Sequence, residues 1–477
     1  MLQEINLSAI SSSFRDPSGF VFQHAGVIYR QVNDCAAETF QKFTEGGLYQ
    51  ALVEKGYLVR HEDVTDSEVP RGSACHRLLR PVAVPYISYP YEWCFSQLKD
   101  AALLTLRIQA VAIKYGFSLK DASAYNVQFL DGKPIFIDTL SFECYVEGEP
   151  WVAYRQFCQH FLAPLALSSL VDPRLGRLSM THIDGIPLDL ACRLLPFKSR
   201  LSVGLQTHIH LHAKFQSSYA DMAGESSGRP RRTKNSRGRI SKSGLHAILE
   251  SLATTVNRLK RSSGITEWAN YYSETNYTDN STKAKHDLVK KFLAIPGQEF
   301  NTIHDLGANS GEFSRIAAPF AKLVVSQDID PVAVESNYQL LKEKGSPRNV
   351  LPLLQDLTAP APGIGWANTE RDSFVQRGRS DLVLALALIH HLCIGNNVPL
   401  VSVSQLLAAL GKWLIIEFVP KSDSQVVRML STRKDVFPDY TREGFETSFE
   451  NDFVLNRVER VEGSERLLYI MKRRGGD

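Results

Sequence analysis

Two carboxylates and two glycines fall within one short span of this chain. Asp305 precedes Gly307 and Gly311 in Thr302-Ile303-His304-Asp305-Leu306-Gly307-Ala308-Asn309-Ser310-Gly311-Glu312-Phe313-Ser314, and Asp328 follows the apolar run Leu323-Val324-Val325-Ser326-Gln327. The glycines let the backbone turn sharply and come close to a ligand that a Cβ would push away, and a helix starting there offers unpaired N–H groups. Asn309 lies between them. Asp328 lies about 20 residues past the turn, the separation at which an acid accepts from ribose hydroxyls. Asp305 either attracts a cationic group or caps the turn by accepting from backbone N–H groups. Asp330, just before Pro331, reads as a helix N-cap with proline at the first helical position. A third acid, Asp356, stands in Leu353-Leu354-Gln355-Asp356-Leu357, and a histidine pair, His390 and His391, ends the run from Asp381. Either histidine could take a proton from a reacting group, or one of the pair starts a helix by bonding backbone; their positions do not separate the two.

The elements that must hold these residues alternate. Strands are expected at Thr302–Leu306, Leu323–Gln327, Val350–Leu354, Leu382–Leu386 and Trp413–Phe418, with helices at Glu312–Phe320, Pro331–Lys344 and Pro399–Leu410 between them and a C-terminal pair near Phe453–Leu455 and Arg466–Met471. That alternation predicts an α/β domain with a doubly wound, mainly parallel sheet. Helical stretches at Leu245–Leu259 and Thr282–Leu293, with the aromatic segment Trp268–Tyr277 between them, are expected to form a lid leading into it. The Gly363–Arg379 insertion, with Trp366, Glu370, Arg371 and Arg377, falls between the third and fourth strands and reads as a substrate lid or a mobile surface loop. Glu417, Lys421 and Asp423 leave the fifth strand at the ligand-facing edge, where they contact an acceptor or, for the last two, form a salt-bridged loop.

A glycine turn followed by an acid is shared by nicotinamide-binding folds and S-adenosyl-L-methionine (SAM) methyltransferases. The Asp-x-Gly-x-x-x-Gly spacing from Asp305, with Asp328 and Asp356, resembles the motifs of class I SAM-dependent methyltransferases, and Asp381–Leu392 resembles that family's fourth motif. The resemblance covers about residues 265 to 475 and implies a Rossmann-like methyltransferase in which Asp305, Gly307, Asn309, Gly311, Asp328 and Asp356 hold SAM and His390 or His391 serves the acceptor. Asp305 would repel a pyrophosphate and attract a cationic ammonium. No Asn-Pro-Pro-Tyr-like sequence follows the fourth strand, which favours oxygen or small-molecule acceptors over amino-methylation of adenine or glutamine. The whole arrangement also resembles a bacterial group of methyltransferase-like proteins that includes a rhizobial nodulation protein.

The upstream half reads as a separate α+β domain, with strands near Gly19–Val32, a helix over Glu92–Tyr115 and a hairpin within Leu119–Phe142 turned by Asp131-Gly132. Asp121, Asn126 and Asp138 resemble, in spacing, the carboxylate and metal-ligating positions of the protein-kinase and aminoglycoside-phosphotransferase superfamily. Departures are that no His precedes Asp121, no glycine-rich loop is evident, and Arg30 stands where a lysine would be expected. The alternative is that Asp121 and Asn126 brace a loop. The aromatic segment Ile87–Phe95 reads as core or interface and not as catalytic apparatus. His208, His210 and His212 suggest one strand face or a loop, and no accompanying acid or cysteine supports a metal.

At 477 residues the chain is too long for one core, and its net charge of +3, spread over 54 basic and 51 acidic residues, argues for neither nucleic acid nor membrane. The N-terminus lacks a basic region followed by a long apolar stretch, and seven cysteines without a CxxC pair fit reduced thiols, so a cytoplasmic location is expected, with neither structural zinc nor disulfides. The expected organisation is an N-terminal domain over 1–220, a basic flexible linker over 221–244 and a methyltransferase domain with helical lid over 245–477. Two rivals stand beside methyl transfer: a noncatalytic SAM-sensing scaffold with a kinase-like partner-binding domain, and an ATP-dependent phosphotransferase.

Overall fold

The structure, a computed structural model, describes residues 9–66, 68–212, 239–261, 279–297, 299–431 and 434–475. These form two compact units: one reaches residue 261 and takes in Ile364–Arg371, and the other holds the chain from residue 279 to Gly363 and from Asp372 onward. Most of the basic linker and the aromatic segment Trp268–Tyr277 lie outside the described residues.

In the first unit β1 (Gly19–His24), β2 (Val27–Asn33), β3 (His61–Asp63) and β4 (Cys75–Pro81) form an antiparallel sheet in the order β1-β2-β4-β3. Helix α1 (Phe95–Lys114) follows, burying Leu98, Ala101, Ala102, Ile108 and Ala112; Gln97 accepts from the Cys94 N–H to close its first turn. β5 (Phe117–Leu119) pairs with β8 (Phe142–Cys144). β6 (Val127–Leu130) and β7 (Lys133–Phe136) make the expected hairpin, turned by Asp131 and Gly132 at φ 50° and 72°, the left-handed pair that matches strand twist. Tyr89, Tyr91 and Trp93 are core, and the Trp93 indole donates to Ser88 Oγ at 2.9 Å.

Two segments belong to this unit against expectation. Helix α2 (Lys242–Arg258) starts inside the stretch read as linker, with the Ser241 hydroxyl accepting from the Gly244 N–H at 3.2 Å. It packs on α1, and Lys99 donates to the carbonyls of Asn257 and Leu259 at 2.9 and 2.8 Å. Its apolar stripe therefore serves the first core instead of a lid on the second, and a polar serine that looked like linker is a cap. Ile364–Arg371 is the other case. Glu370 is buried and takes two bonds of 2.7 Å from Arg15, while the Arg371 guanidinium lies 4.5 Å from the Tyr125 ring centroid. A two-bond ion pair and a cation–π contact hold Ile364–Arg371, part of the Gly363–Arg379 insertion, within the first unit.

The second unit is one seven-stranded sheet. β9 (Phe300–Leu306), β10 (Ala321–Asp328), β11 (Val350–Leu354), β12 (Ser380–Ala385) and β13 (Gly411–Phe418) run parallel, and β14 (Phe453–Arg460) and β15 (Leu467–Arg473) add an antiparallel hairpin. Val383, Leu384 and Ala385 are buried consecutively, as a strand covered on both faces requires. Helices α3 (Asp279–Ala294), α4 (Glu312–Ala317), α5 (Pro331–Leu341) and α6 (Leu400–Leu410) accompany it. The order is β11-β10-β9-β12-β13-β15-β14, so the chain winds outward from β9 in one direction and then resumes at β12 on its other side. At that reversal the turns after β9 and β12 part, and the carboxyl ends of the strands leave a crevice for a ligand.

Candidate functional site

The turn after β9 opens into that crevice. Gly307, Asn309 and Gly311 have φ of 73°, 50° and 74°, three left-handed residues in five. The N–H groups of Gly307 and Ala308 both donate to the Gln327 carbonyl, at 2.8 and 2.9 Å, which ties the turn to the end of β10. A Cβ at Gly311 would lie 2.3 Å from the Asn337 amide, and one at Gly307 would lie 3.1 Å from Leu388. Beneath the turn the Ser314 hydroxyl donates to Asp305 at 2.6 Å, and Asn337 donates to Ser326 Oγ at 2.8 Å. The glycines are thus needed both for the backbone conformation and for the layer below.

A cavity of about 480 Å³ lies over this turn, within the size range of small-molecule sites. Asp305, Gly307, Asn309, Asp328, Asp356 and His391 line it, while Gly311 and His390 do not. Asp305 is 2% exposed, and burial pushes its carboxyl up to about 6 against the opposing bond from Ser314. Asp328 accepts from the N–H groups of Asn309 and Asp330 at 2.8 and 2.9 Å, and burial pushes it too up to about 6. Asp330 turns away: it accepts from the Val332 N–H at 2.8 Å and caps α5 ahead of Pro331, as its sequence position suggests. Asp356 accepts from the N–H and hydroxyl of Thr358, at 2.9 and 2.6 Å, and so holds its own turn beside the cavity.

The histidine pair is resolved by the geometry of a π-helical turn, His391–Gly395. Its phase places His391 in the cavity wall and buries His390 completely, their rings 4.1 Å apart. Burial holds His391 down to about 4 and His390 well below its usual value, so both rings are neutral near pH 7.

Sequence reasoning missed a buried ionic group on the β12–β13 side. Lys285 on α3 donates to Glu417 at 2.7 Å, Glu417 also accepts from the Ala387 N–H at 2.8 Å, and Arg466 pairs with Asp423 at 2.7 Å while one of its nitrogens lies 3.8 Å from Glu417. Ala387 has φ 49°, so Glu417 secures a left-handed turn on the path to His391. Lys285 and Arg466 line the cavity with Glu312, Phe313 and Met429; Glu417, Lys421 and Asp423 do not. Lys421 instead pairs with Asp435 at 2.7 Å. Glu312, next to Gly311 at the start of α4, is the one newcomer that a local spacing could have flagged.

In the first unit Asp121, Asn126 and Asp138 do come together. Asn126 donates to Ser141, which donates in turn to Asp138, and Gln156 donates to Asp121 at 2.7 Å. Arg30 reaches Asp138 directly from β2. Burial alone would raise the Asp138 carboxyl, but the guanidinium and the bonds from Ser141 and Leu140 hold it below its usual value. His208 and His210 lie on a π-helical turn, Gln206–Leu211, and not on a strand or open loop. His208 bonds Tyr154 at 2.7 Å and Ser251 at 2.9 Å, and His210 bonds Ser199 at 2.8 Å and Cys192 at 3.0 Å, so their ring nitrogens are engaged in packing. Among the described residues no group of three His, Cys, Asp or Glu could hold a metal ion.

A parallel sheet reversing at β9, with an acid-flanked glycine turn at the reversal, defines the second unit as a Rossmann-like α/β domain. Over 468 residues the chain is 36% identical to "Nodulation protein NoeA" of Rhizobium meliloti (strain 1021), covering 97% of this chain and 96% of that protein. The chain belongs to the NoeA family. No family model matches it. Among solved structures it is similar to N-methyltransferase NodS from Bradyrhizobium japonicum WM9 in complex with S-adenosyl-L-homocysteine (SAH), with 11% identity and a TM-score of 0.31, over 44% of this chain and 93% of that one. It is also similar to magnesium protoporphyrin IX methyltransferase from Synechocystis PCC 6803 with bound SAH, with 18% identity and a TM-score of 0.30, over 43% of this chain and 91% of that one. No helix among the described residues is long and apolar enough to cross a membrane.

Proposed function

We propose that the protein is an enzyme that transfers a methyl group from SAM to an acceptor oxygen or other small molecule. The observation that carries this is the placement of Asp305 and Asp328 in one cavity wall at the reversal of the sheet, each carboxyl pushed up to about 6 by burial. Two carboxyls in one wall without an ion-pair partner favour a cationic ligand, whereas a pyrophosphate would be repelled. The site fits SAM on the chain's own terms. Asp328, bonded by the backbone N–H groups of Asn309, Asp330 and Ile329, lines the cavity as the acceptor for ribose hydroxyls. The Gly307 backbone makes the close approach, Asp305 faces the cationic end, and Asp356 stands past β11 for the base. SAM supplies an electrophilic methyl on a sulfonium; the residues align it and exclude water. His391, not His390, is the histidine assigned to the acceptor end.

For the first unit we propose a degenerate kinase-like fold that recognises substrate or a partner. A four-stranded sheet, a long helix, a hairpin and the convergence of Asp121, Asn126 and Asp138 support the likeness. The ion pair from Arg30 to Asp138 supports the loss of phosphotransfer, because it matches the charge a magnesium ion would need. The seven cysteines, all free, support a cytoplasmic location. The relative's name, a nodulation protein, supports placing this chain in such a setting.

Calorimetry on the full chain tests both parts. SAM and SAH are expected to bind and MgATP to give no heat, and Asp328→Ala is expected to weaken SAH by about 2 kcal/mol, since it removes a charged acceptor of two hydroxyl bonds. Unchanged affinity in Asp328→Ala would refute the assignment of that acid.

A further inference from the structure

We infer that Lys285 and Arg466 form the contact surface for the methyl acceptor, and that the acceptor presents an ionised carboxyl oxygen, giving a methyl ester as product. The inference rests on the methyl-transfer reading above and narrows its acceptor. Both cations line the cavity. Both are tied to Glu417 at the end of β13, which also holds Ala387 after β12. This is the β12–β13 side of the reversal, whereas Asp328 and Asp356 follow β10 and β11 on the other side. Asp328 and Asp356 therefore stand on one flank of the cavity and the Glu417-tied cations on the other, with Lys285 reaching back to within 4.9 Å of the Phe313 ring beside the glycine turn and acting on Asp305.

Ammonium and guanidinium groups only donate hydrogen bonds, so whatever they face must offer lone pairs. A neutral amine has a single lone pair, which bonding to these donors would withdraw from the methyl carbon, and its protonated form has none and is repelled by the sulfonium. The ionic group is already balanced internally, since Lys285 and Arg466 are matched by Glu417 and Asp423. The charge that a carboxylate acceptor cancels is then that of the sulfonium itself. An alcohol acceptor would need a base to take its proton. The imidazole available, His391, is held down to about 4 by burial and by Arg466, far from the range in which a general base works well near pH 7. A carboxylate has no proton to lose. Its oxygen bonds to the methyl carbon as the carbon–sulfur bond breaks and the electron pair stays on sulfur, leaving an ester and a neutral thioether.

The test uses the full chain, methyl-labelled SAM and a small-molecule extract of cells lacking the protein. Label is expected in a product that releases it as methanol in mild base. Lys285→Met and Arg466→Met are each expected to lower kcat/KM for labelling by about 10- to 100-fold, chiefly through KM, the scale of losing one hydrogen bond to the charged acceptor. SAH affinity by calorimetry is expected to stay unchanged in both variants, which also reports that they fold, and Lys285→Arg is expected to recover part of the rate. Label that survives base, as an ether or an amine, overturns the acceptor assignment and leaves methyl transfer standing. A loss of SAH affinity of about tenfold in Lys285→Met puts the lysine on the cofactor and overturns the inference too. Failure of the unaltered chain to bind SAM, or binding with no transferred label, overturns the parent reading along with this one.

Discussion

Asp138 in the first unit and Asp328 in the second are both half-buried aspartates at or just past the end of a strand, and the protein treats them in opposite ways. Asp138 meets a guanidinium, a hydroxyl and a backbone N–H, which together hold its carboxyl low. Asp328 meets the backbone N–H groups of Asn309, Asp330 and Ile329, and burial pushes its carboxyl up to about 6. One charge is cancelled within the fold. The other has no ion-pair partner, and Asp305 is bonded only to the neutral Ser314, with Lys285 and Arg315 acting on it without an ion pair. A buried acid marks a ligand site when its hydrogen bonds are met and its charge is not.

Removing the internal cation is the severest way to break the contrast. Arg30→Ala would leave Asp138 charged and buried, and a loss of about 3–5 kcal/mol in stability is expected from urea unfolding at neutral pH. The sign with pH follows from the low folded value. A depressed carboxyl adds stability above its unfolded pKa and loses it as pH falls, so the gap between variant and parent should narrow toward about pH 4 and below. A gap that is flat with pH would mean that Arg30 acts through packing alone. SAH affinity is expected to be unaffected.

Acidification sharpens the other side of the comparison. Asp305 and Asp328 have folded values of about 6, above those of an unfolded chain, so each favours the fold at low pH and works against it as pH rises from about 4 to about 6. A bound cation reverses this preference by stabilising the ionised forms. Affinity for SAM is therefore expected to fall as pH drops below about 6, by up to about tenfold per unit for each carboxyl that must release a proton. Calorimetry in buffers of different ionisation heat should show proton release on binding near pH 6 and almost none at pH 8. Binding without proton release near pH 6 would mean that these acids do not meet the ligand's charge.

How far such a site shows in a sequence depends on how local its determinants are. β11 lies where it was expected, and the neighbouring strands differ by a few residues, because buried parallel strands read as unbroken apolar runs. The acids and glycines of the turn are equally legible, since βαβ geometry fixes their spacing. Lys285 is not: it meets Glu417 across 132 positions, and no periodicity records that pairing. His390 and His391 could not be told apart because a π-helical turn sets which ring faces the cavity, and helical phase at a loop end leaves no mark in composition. For α2, the apolar stripe was visible but its destination was not, since a stripe names a buried face and not the core that receives it.

The smallest effect comes from the nearest neighbour of Asp328. Asp330 lies two residues on and is 3% exposed, yet its carboxylate is spent on the Val332 N–H at the start of α5. Asp330→Ala is expected to cost about 1 kcal/mol of stability, the usual loss for an N-cap aspartate. Affinity for SAH should hold steady, because the bond that Asp330 makes to Asp328 comes from its backbone N–H, which alanine retains. Thermal unfolding and calorimetry on the same preparation read both quantities. If Asp330→Ala weakened SAH as much as Asp328→Ala does, burial next to the cavity would suffice to explain the loss, and the distinction between a met and an unmet charge would have no bearing on binding.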